Sequence, residues 1–442
     1  MNLRTSVMAR LIVMGFILLG LLIPLSMVQA IVSERSVRRD SVATDISSTW
    51  GGSQVLAGPM LTVPYEYTIV ENDGRTRQVV GRATFLPDTL SVQGPLTPDV
   101  RKRGLFKVVV YRADLSLSGR FSPPDLSGVI RGSVRPLFDE ASVSIGVADP
   151  RGVRRAVLNW NGSERRLEPG IADIGLATTG LHARVNLSEP VASGSIPFSM
   201  TIQLNGSRDF RIVPAGNDTS ATLTSTWPHP GFIGTSPQQQ TVQDSGFNAV
   251  WNVSYFGRGF PRAWSDAGVD REKMRNQADA SVFGVSLVQP VDIYQQGERS
   301  VKYAALFIVL TFVVFFLFEV VRARLLHPVQ YVFVGFALCV FYLLLISLSE
   351  HFGFDRAYSV AAIAITLLIS MYSVFVLDGV KEGAVVGTST AALYGFLYLL
   401  LRLEDYALLA GSLGLFAALA LVMLLTRKVN WYELRLGTRT QV

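Results

Sequence analysis

Six uninterrupted apolar runs constrain this chain more than any other feature. One lies near the N-terminus, at about residues 8–30. Five crowd the final third, at about 303–321, 329–349, 357–377, 384–401 and 406–426. Each holds roughly 18–23 residues, which at a rise of about 1.5 Å per residue matches a hydrocarbon core about 30 Å thick. A backbone in lipid must satisfy its own hydrogen bonds, so the runs are expected to be transmembrane α-helices. Composition agrees. Hydrophobic residues make up 49% and charged residues 17%, whereas soluble domains carry about 25% charge. An ordinary cytosolic enzyme is thereby excluded. The 25 Phe, 14 Tyr and 6 Trp exclude a chain that never folds. The fifth run is the least apolar, but its Gly383, Gly387 and Thr388-Ser389-Thr390 suit close helix packing.

Lys and Arg set the expected orientation. With the N-terminus inside, Arg4, Arg10, Arg322, Arg324, Lys381, Arg427, Lys428, Arg435 and Arg439 fall on the inner side. The outer loops 350–356 and 402–405 hold only Arg356 and Arg402, beside Glu350, Asp355, Glu404 and Asp405. Both termini are therefore expected in the cytoplasm. The expected organisation is an anchor at 8–30, an extracytoplasmic domain at 31–302, a five-helix membrane domain at 303–426 and a tail at 427–442. Arg4, Arg10 and the small-residue end Val28-Gln29-Ala30 also fit a cleaved signal peptide. The long apolar core and the helix-like continuation IVSERSVRRDSVATDISSTW, stopping at Gly51-Gly52, favour an uncleaved anchor.

Residues 31–302 read differently. Turn signals recur at Asn72-Asp73-Gly74, Asp149-Pro150, Asn161-Gly162, Asn205-Gly206 and Ala215-Gly216-Asn217. Between them lie β-prone runs at 107–111, 115–121, 141–147, 198–204, 222–227 and 248–255, several with strict period-two alternation. That pattern predicts antiparallel sheet with one buried face, in a β-sandwich-like domain. Residues 266–279 are left as a short helix or an exposed loop. The lone Cys339 sits in an apolar run, so the domain must be held by its core without disulfides.

Motifs that carry chemistry are scarce. The net charge of +6 is spread along the chain, and Arg101-Lys102-Arg103 and Arg154-Arg155 read as solvated loop charges. Nucleic-acid binding is not indicated. His182, His229, His327 and His351 form no zinc spacing, and neither a P-loop nor a GxSxG elbow is present. No catalytic residue, metal, cofactor or small-molecule ligand is assigned, and the chain is expected not to be an enzyme. Trp227 and His229 in TWPHPGF, and Trp251 and Tyr255 in the aromatic stretch 251–264, are candidate partner contacts, each set against packing as the plainer role.

Ionisable groups at the ends of the spans draw more attention. Glu319, in the last turn of the second span, has Arg322 three residues on. Arg324 and His327 follow in the short turn to the third span, and Glu350 and His351 close that span. A carboxylate inside a membrane helix is a functional hypothesis by default. The structural alternative is a Glu319–Arg322 pair fixing a helical hairpin. The sharper alternative is an ion or proton relay through Glu319 and His327. On the first reading, Glu319→Gln is expected to leave localisation intact and cost little stability.

Long strings in this chain resemble the CreD family of bacterial inner-membrane proteins. They are FFLFEVVRARLLHPVQYVFVGFALCVFYLLLISLSEHFGF at 315–354, LTSTWPHPGFIG at 223–234, VQDSGFNAVWNVSYF at 242–256 and VKYAALFIVLTF at 301–312. Ser33-Glu34-Arg35 and Leu56-Ala57-Gly58-Pro59 add to the likeness, which spans nearly the whole chain. The tail after Trp431-Tyr432 is short, and Asp149-Pro150-Arg151-Gly152 varies the family's usual turn. The resemblance implies an inner-membrane protein linked to cell-envelope integrity. Together with the absent catalytic motifs and the large domain tethered at both ends, it favours a non-enzymatic envelope protein whose periplasmic domain binds an envelope protein or cell-wall component. It carries over no catalytic residues. The bilayer is the one partner the residues themselves imply. A membrane enzyme or transporter acting at the outer face of the inner membrane is the alternative.

Overall fold

A computed structural model of the chain describes residues 7–70, 75–172, 175–188, 194–288, 293–322, 326–403 and 406–427. It divides into two compact units, Met1–Asp40 with Val291–Val442, and Ser41–Pro290. The boundaries expected at 30/31 and 302/303 followed the ends of the apolar runs. The compact units divide about ten residues further out at one end and about a dozen earlier at the other, because helices continue past those runs.

The first unit is helical. Six helices among the described residues are long and apolar enough to cross a membrane. They are α1 (Val7–Trp50), then α3 (Ile293–Arg322), α4 (Pro328–Phe352), α5 (Phe354–Val376), α6 (Val380–Arg402) and α7 (Ala407–Thr426), with α2 (Arg271–Ser281) lying in the other unit. At 44 residues, α1 is about 66 Å long, so its polar second half extends beyond any hydrocarbon core. It stops at Gly51, as the sequence predicts. The turn into α4 is closed by Pro328 at the first helical position. The His327 ring nitrogen accepts the Val329 N–H at 3.3 Å, and the Gln330 side chain accepts the His327 N–H at 2.9 Å.

Helices α3 to α6 bury Phe312, Phe341, Tyr342, Leu345 and Leu397 in one cluster, which also takes in Leu21 and Val32 of α1. Glycines set how closely these helices approach. A Cβ at Gly383 would meet Val374 at 2.3 Å and one at Gly387 would meet Ser370 at 2.6 Å, so α5 and α6 pack almost backbone to backbone. Ser370 also donates to the Gly383 carbonyl at 3.1 Å. Leu21 of α1 occupies the notch at Gly335 of α4. No residue of α7 is buried.

The second unit contains two large sheets. One runs, edge to edge, Gln239–Gln243, Gly246–Ser254, Asp218–Ser225, Thr89–Arg103, Phe106–Phe121, Ile196–Ser207, Val153–Trp160 and Ser163–Arg166. The other follows Pro230–Gly234, Phe283–Leu287, Asp209–Val213, Gln54–Val70, Ser142–Val147, Gly180–Arg184 and Glu168–Pro169. Thr76–Phe85 and Arg135–Pro136 also pair with Gln54–Val70. The inner faces of both sheets supply one cluster, including Leu61, Ile145, Phe121, Ile202, Trp251 and Phe283, which is the sandwich-like core expected. Alternation is clean in Phe106–Phe121, where Ala113, Leu115 and Leu117 are buried and Arg112, Asp114, Ser116 and Ser118 are exposed.

Several local expectations are corrected. The sheets are not purely antiparallel: Gln54–Ala57 pairs in parallel with Phe210–Val213, and Asp218–Thr224 with Thr89–Pro95. The central strand Gln54–Val70 was not anticipated. Its first ten residues, 54–63, are almost all buried, so they lack alternation, and it contains two prolines, which ordinarily mark edges. Its ladder with Ser142–Val147 shifts register between Ala57 and Met60, which is where Pro59 is accommodated. Asn205-Gly206 is not a turn but strand interior, where Gly206 makes room for the ring of Tyr111. Asn161-Gly162 does turn, with φ of 47° and 83°, joining Trp160 to Ser163. Asn72-Asp73-Gly74 lies outside the described residues. Arg101-Lys102-Arg103 and Arg154-Arg155 are exposed as expected, but on strands rather than loops. Within 266–279, Asp270 caps α2 by accepting the Lys273 N–H at 3.0 Å.

Candidate functional site

Ionisable candidates gather at the two ends of the helical unit. At one end Glu319 of α3 is 1% exposed. Its carboxylate forms an ion pair with Arg10 of α1 and accepts the Tyr331 O–H at 3.0 Å and the Leu326 N–H at 3.2 Å. Arg10 also donates to the Leu326 carbonyl at 3.3 Å. Each carboxylate oxygen therefore has a partner, which offsets the cost of holding a charge away from water.

The expected partner of Glu319 was Arg322. The observed one is Arg10; the Arg322 side chain and Arg324 lie outside the described residues. His327 does not join the cluster; it is exposed and acts as the helix cap.

At the other end Glu350 of α4 accepts the Tyr294 O–H of α3 at 2.9 Å, and Arg35 of α1 stands 3.7 Å away. Arg39 lies over the Tyr294 ring at 5.8 Å. His351 is exposed and bonds back to the Ser347 carbonyl at 3.1 Å. The same three helices α1, α3 and α4 are thus clasped twice. The clasps are 25 residues of α1 apart, a rise of about 37 Å. The sequence reading missed Arg10, Arg35, Tyr294 and Tyr331. The available signal was a basic residue flanking each end of the first apolar run, matched by Glu319 and Glu350 on two later ones.

The aromatic candidates of the β-rich unit separate. Trp251 is 0% exposed, packed on Phe232 and Phe283, with its N–H donated to the Thr235 carbonyl at 2.9 Å. Trp227 is half-buried and donates to the Val288 carbonyl at 2.9 Å. Trp251 belongs to the core, and Trp227 packs against it while keeping part of its surface open. His229 is exposed on the same loop as Trp227. Tyr255 is 48% exposed and stacks on Phe256, which is 81% exposed, with centroids 4.0 Å apart.

Farther along the same loop, Arg258 is buried and donates to the carbonyls of Ala215 and Gly216 and to Asn217 Oδ1 at 3.2 Å. Burial, and then the nearby Arg262, push the Arg258 guanidinium down to about 10, so it stays protonated at neutral pH. Among the described residues no group of three His, Cys, Asp or Glu could hold a metal ion.

Six apolar helices among the described residues, three of them joined by paired charges, with a two-sheet β-rich domain between the first and second spans in the chain, define a multi-pass membrane protein. The chain belongs to the CreD family of inner membrane proteins. The family model described as "Inner membrane protein CreD" matches residues 6–432. Inner membrane protein CreD of Escherichia coli (strain K12) is 34% identical over 428 residues, spanning 96% of this chain and 93% of its own. Among solved structures, a mutant M1 zinc metallopeptidase from Deinococcus radiodurans is similar at 8% identity over 38% of each chain. Its TM-score is 0.20.

Proposed function

We propose that this inner membrane protein is non-enzymatic and supports the integrity of the cell envelope. On this reading both termini are cytoplasmic, the first helix is retained, and the β-rich domain lies in the periplasm, where it binds envelope components or partner proteins. The observation that carries the reading is the employment of the membrane-embedded charges. Arg10, Tyr331 and the Leu326 N–H engage both oxygens of Glu319, which supports a helix clasp over a relay. Retention of α1 is supported by the same pair, because cleavage after Ala30 would remove Arg10 and strand a buried carboxylate.

Two measurements test the proposal. A tag inserted near the exposed Ser245 should be reached by protease or impermeant label from outside spheroplasts. Labelling only after the inner membrane is broken would overturn the topology. Photo-crosslinkers placed on the outer strands of the β-rich domain should capture defined envelope components in cells; capture of none would remove the binding role.

A further inference from the structure

The outer face of the eight-stranded sheet carries a cleft of about 520 Å³. The register explains its lining. Asn252 pairs with Ser220, Ser220 with Ser91 and Ser91 with Ser118, so four small hydroxyl or amide side chains lie in one row across four adjacent strands. Strand spacing sets them about 4.8 Å apart. Ser254 and Asp218, also paired, continue the lining one step along the strands. Among the described residues Asp218 is the one ionisable residue lining the cleft, and the exposed Arg120, paired with Thr89 in the same row as Asp218, stands at the row's far end.

Directly after Ser254 the chain leaves the sheet as the stacked, exposed pair Tyr255–Phe256. The Tyr255 N–H donates to the Asn217 carbonyl at 2.7 Å, and Asn217 adjoins Asp218. The aromatic pair therefore adjoins the cleft's edge, and the buried Arg258, three residues past Tyr255, ties the same loop to Gly216 and Asn217. Two large apolar rings kept in water on a rigid loop are costly unless a partner covers them.

We propose that this cleft and the Tyr255–Phe256 platform form a binding site for an oligosaccharide chain. A pyranose ring presents an apolar C–H face, which suits the aromatic platform, and equatorial hydroxyls, which suit a row of closely spaced Ser and Asn side chains. An anionic lipid or phosphate would meet the Asp218 carboxylate inside the cleft and a cation, Arg120, only at the end of the row. A protein anchor would require a deep apolar pocket, whereas Leu90 and Val253 lie buried beneath this cleft and the side chains that face it are Thr89, Ser91, Ser118, Asp218, Ser220, Asn252 and Ser254. The assignment rests on the binding role proposed above and specifies its ligand class.

The test uses full-length protein in nanodiscs, titrated calorimetrically with tetra-N-acetylchitotetraose and with maltotetraose, which separate an amide-bearing wall-type sugar from a plain glucan. Saturable binding of at least one probe in the millimolar range or tighter is expected. The double variant Tyr255→Ala/Phe256→Ala should weaken it about tenfold. Ser118→Arg, which fills the cleft from an exposed position, should weaken it comparably, and neither change should move the unfolding temperature.

No saturation by either sugar, or saturation indifferent to both variants, overturns the assignment. So does quenching of a Phe256→Trp variant by brominated lipids, which would place the platform in a bilayer surface instead. If the sugars fail while a crosslinker at Ser118 still captures a defined envelope protein, the ligand class is wrong and the binding role stands. If both fail, both readings fall.

Discussion

Arg10, near the start of the first helix, forms a buried ion pair with Glu319 in the last turn of the third, and Tyr331 of the fourth donates to the same carboxylate. Three helices therefore meet at one charge. The pair makes α1 a structural member of the bundle rather than a passive tether.

Removing one partner should cost far more than removing both. Arg10→Met leaves a buried carboxylate unpaired, at a cost of about 3–5 kcal/mol. Arg10→Met with Glu319→Met should recover most of that loss. Thermal unfolding in detergent across the four variants checks the coupling, and simple additivity would show that the pair contributes nothing. The expectation that Glu319→Gln costs little is revised accordingly: it should now be measurably destabilising, because Arg10 loses its counter-charge.

Two glycines of α6 should respond oppositely to enlargement. Gly383 faces the backbone of Val374, and Gly383→Val should force α5 and α6 apart at about 1–3 kcal/mol. Gly395 has nothing within 4 Å of a built Cβ, so Gly395→Ala should be neutral, or stabilising by up to about 1 kcal/mol through helix propensity. Unfolding temperatures of the two purified variants decide it.

Asp149 predicts a pH signature. Its carboxylate bonds the Arg151 side chain at 2.9 Å and accepts the Gly52 N–H at 3.1 Å, at the junction between α1 and the first strand. Chiefly the Arg151 bond holds the carboxyl below its usual range. A depressed acid stabilises the fold fully above its unfolded pKa of about 3.9 and loses that contribution as pH falls through the lower folded value. The difference in unfolding temperature between the native chain and Asp149→Asn should therefore be largest at neutral pH and shrink below about pH 4. A difference constant across that range would show that ionisation of Asp149 plays no part.

Arg258 should prove necessary for loop order. It donates to Ala215, Gly216 and Asn217, and bonds from a charged group are worth about 1.5–3 kcal/mol each at most. Arg258→Met should leave those acceptors unpaired and accelerate proteolysis between Tyr255 and Arg262, while cleavage elsewhere stays unchanged. Equal cleavage rates would remove the staple from the account of the aromatic platform.

The sequence reading was strongest where period and length were enough. The apolar runs located all six helices, and alternation located strands such as Phe106–Phe121 and Ile196–Ser207. It failed at Gln54–Val70, because residues 54–63 are buried on both faces and show no alternation, and Pro59 and Pro64 argued against it. Among the site candidates, Trp251 proved to be core, Tyr255 surface, and Glu319 the centre of a cluster whose other members are spread over two further helices.

Hydrophobic length and residue alternation are local properties, so the chain's residues alone determined a membrane bundle carrying a β-rich domain. Only tertiary structure decided that Arg10 rather than Arg322 meets Glu319. It also aligned Asn252, Ser220, Ser91 and Ser118 in one row beside Tyr255–Phe256. The physical reason is range: an ion pair or a sheet row depends on distances of a few ångströms between segments far apart in the chain, and those distances exist only once the helices pack and the strands find their register.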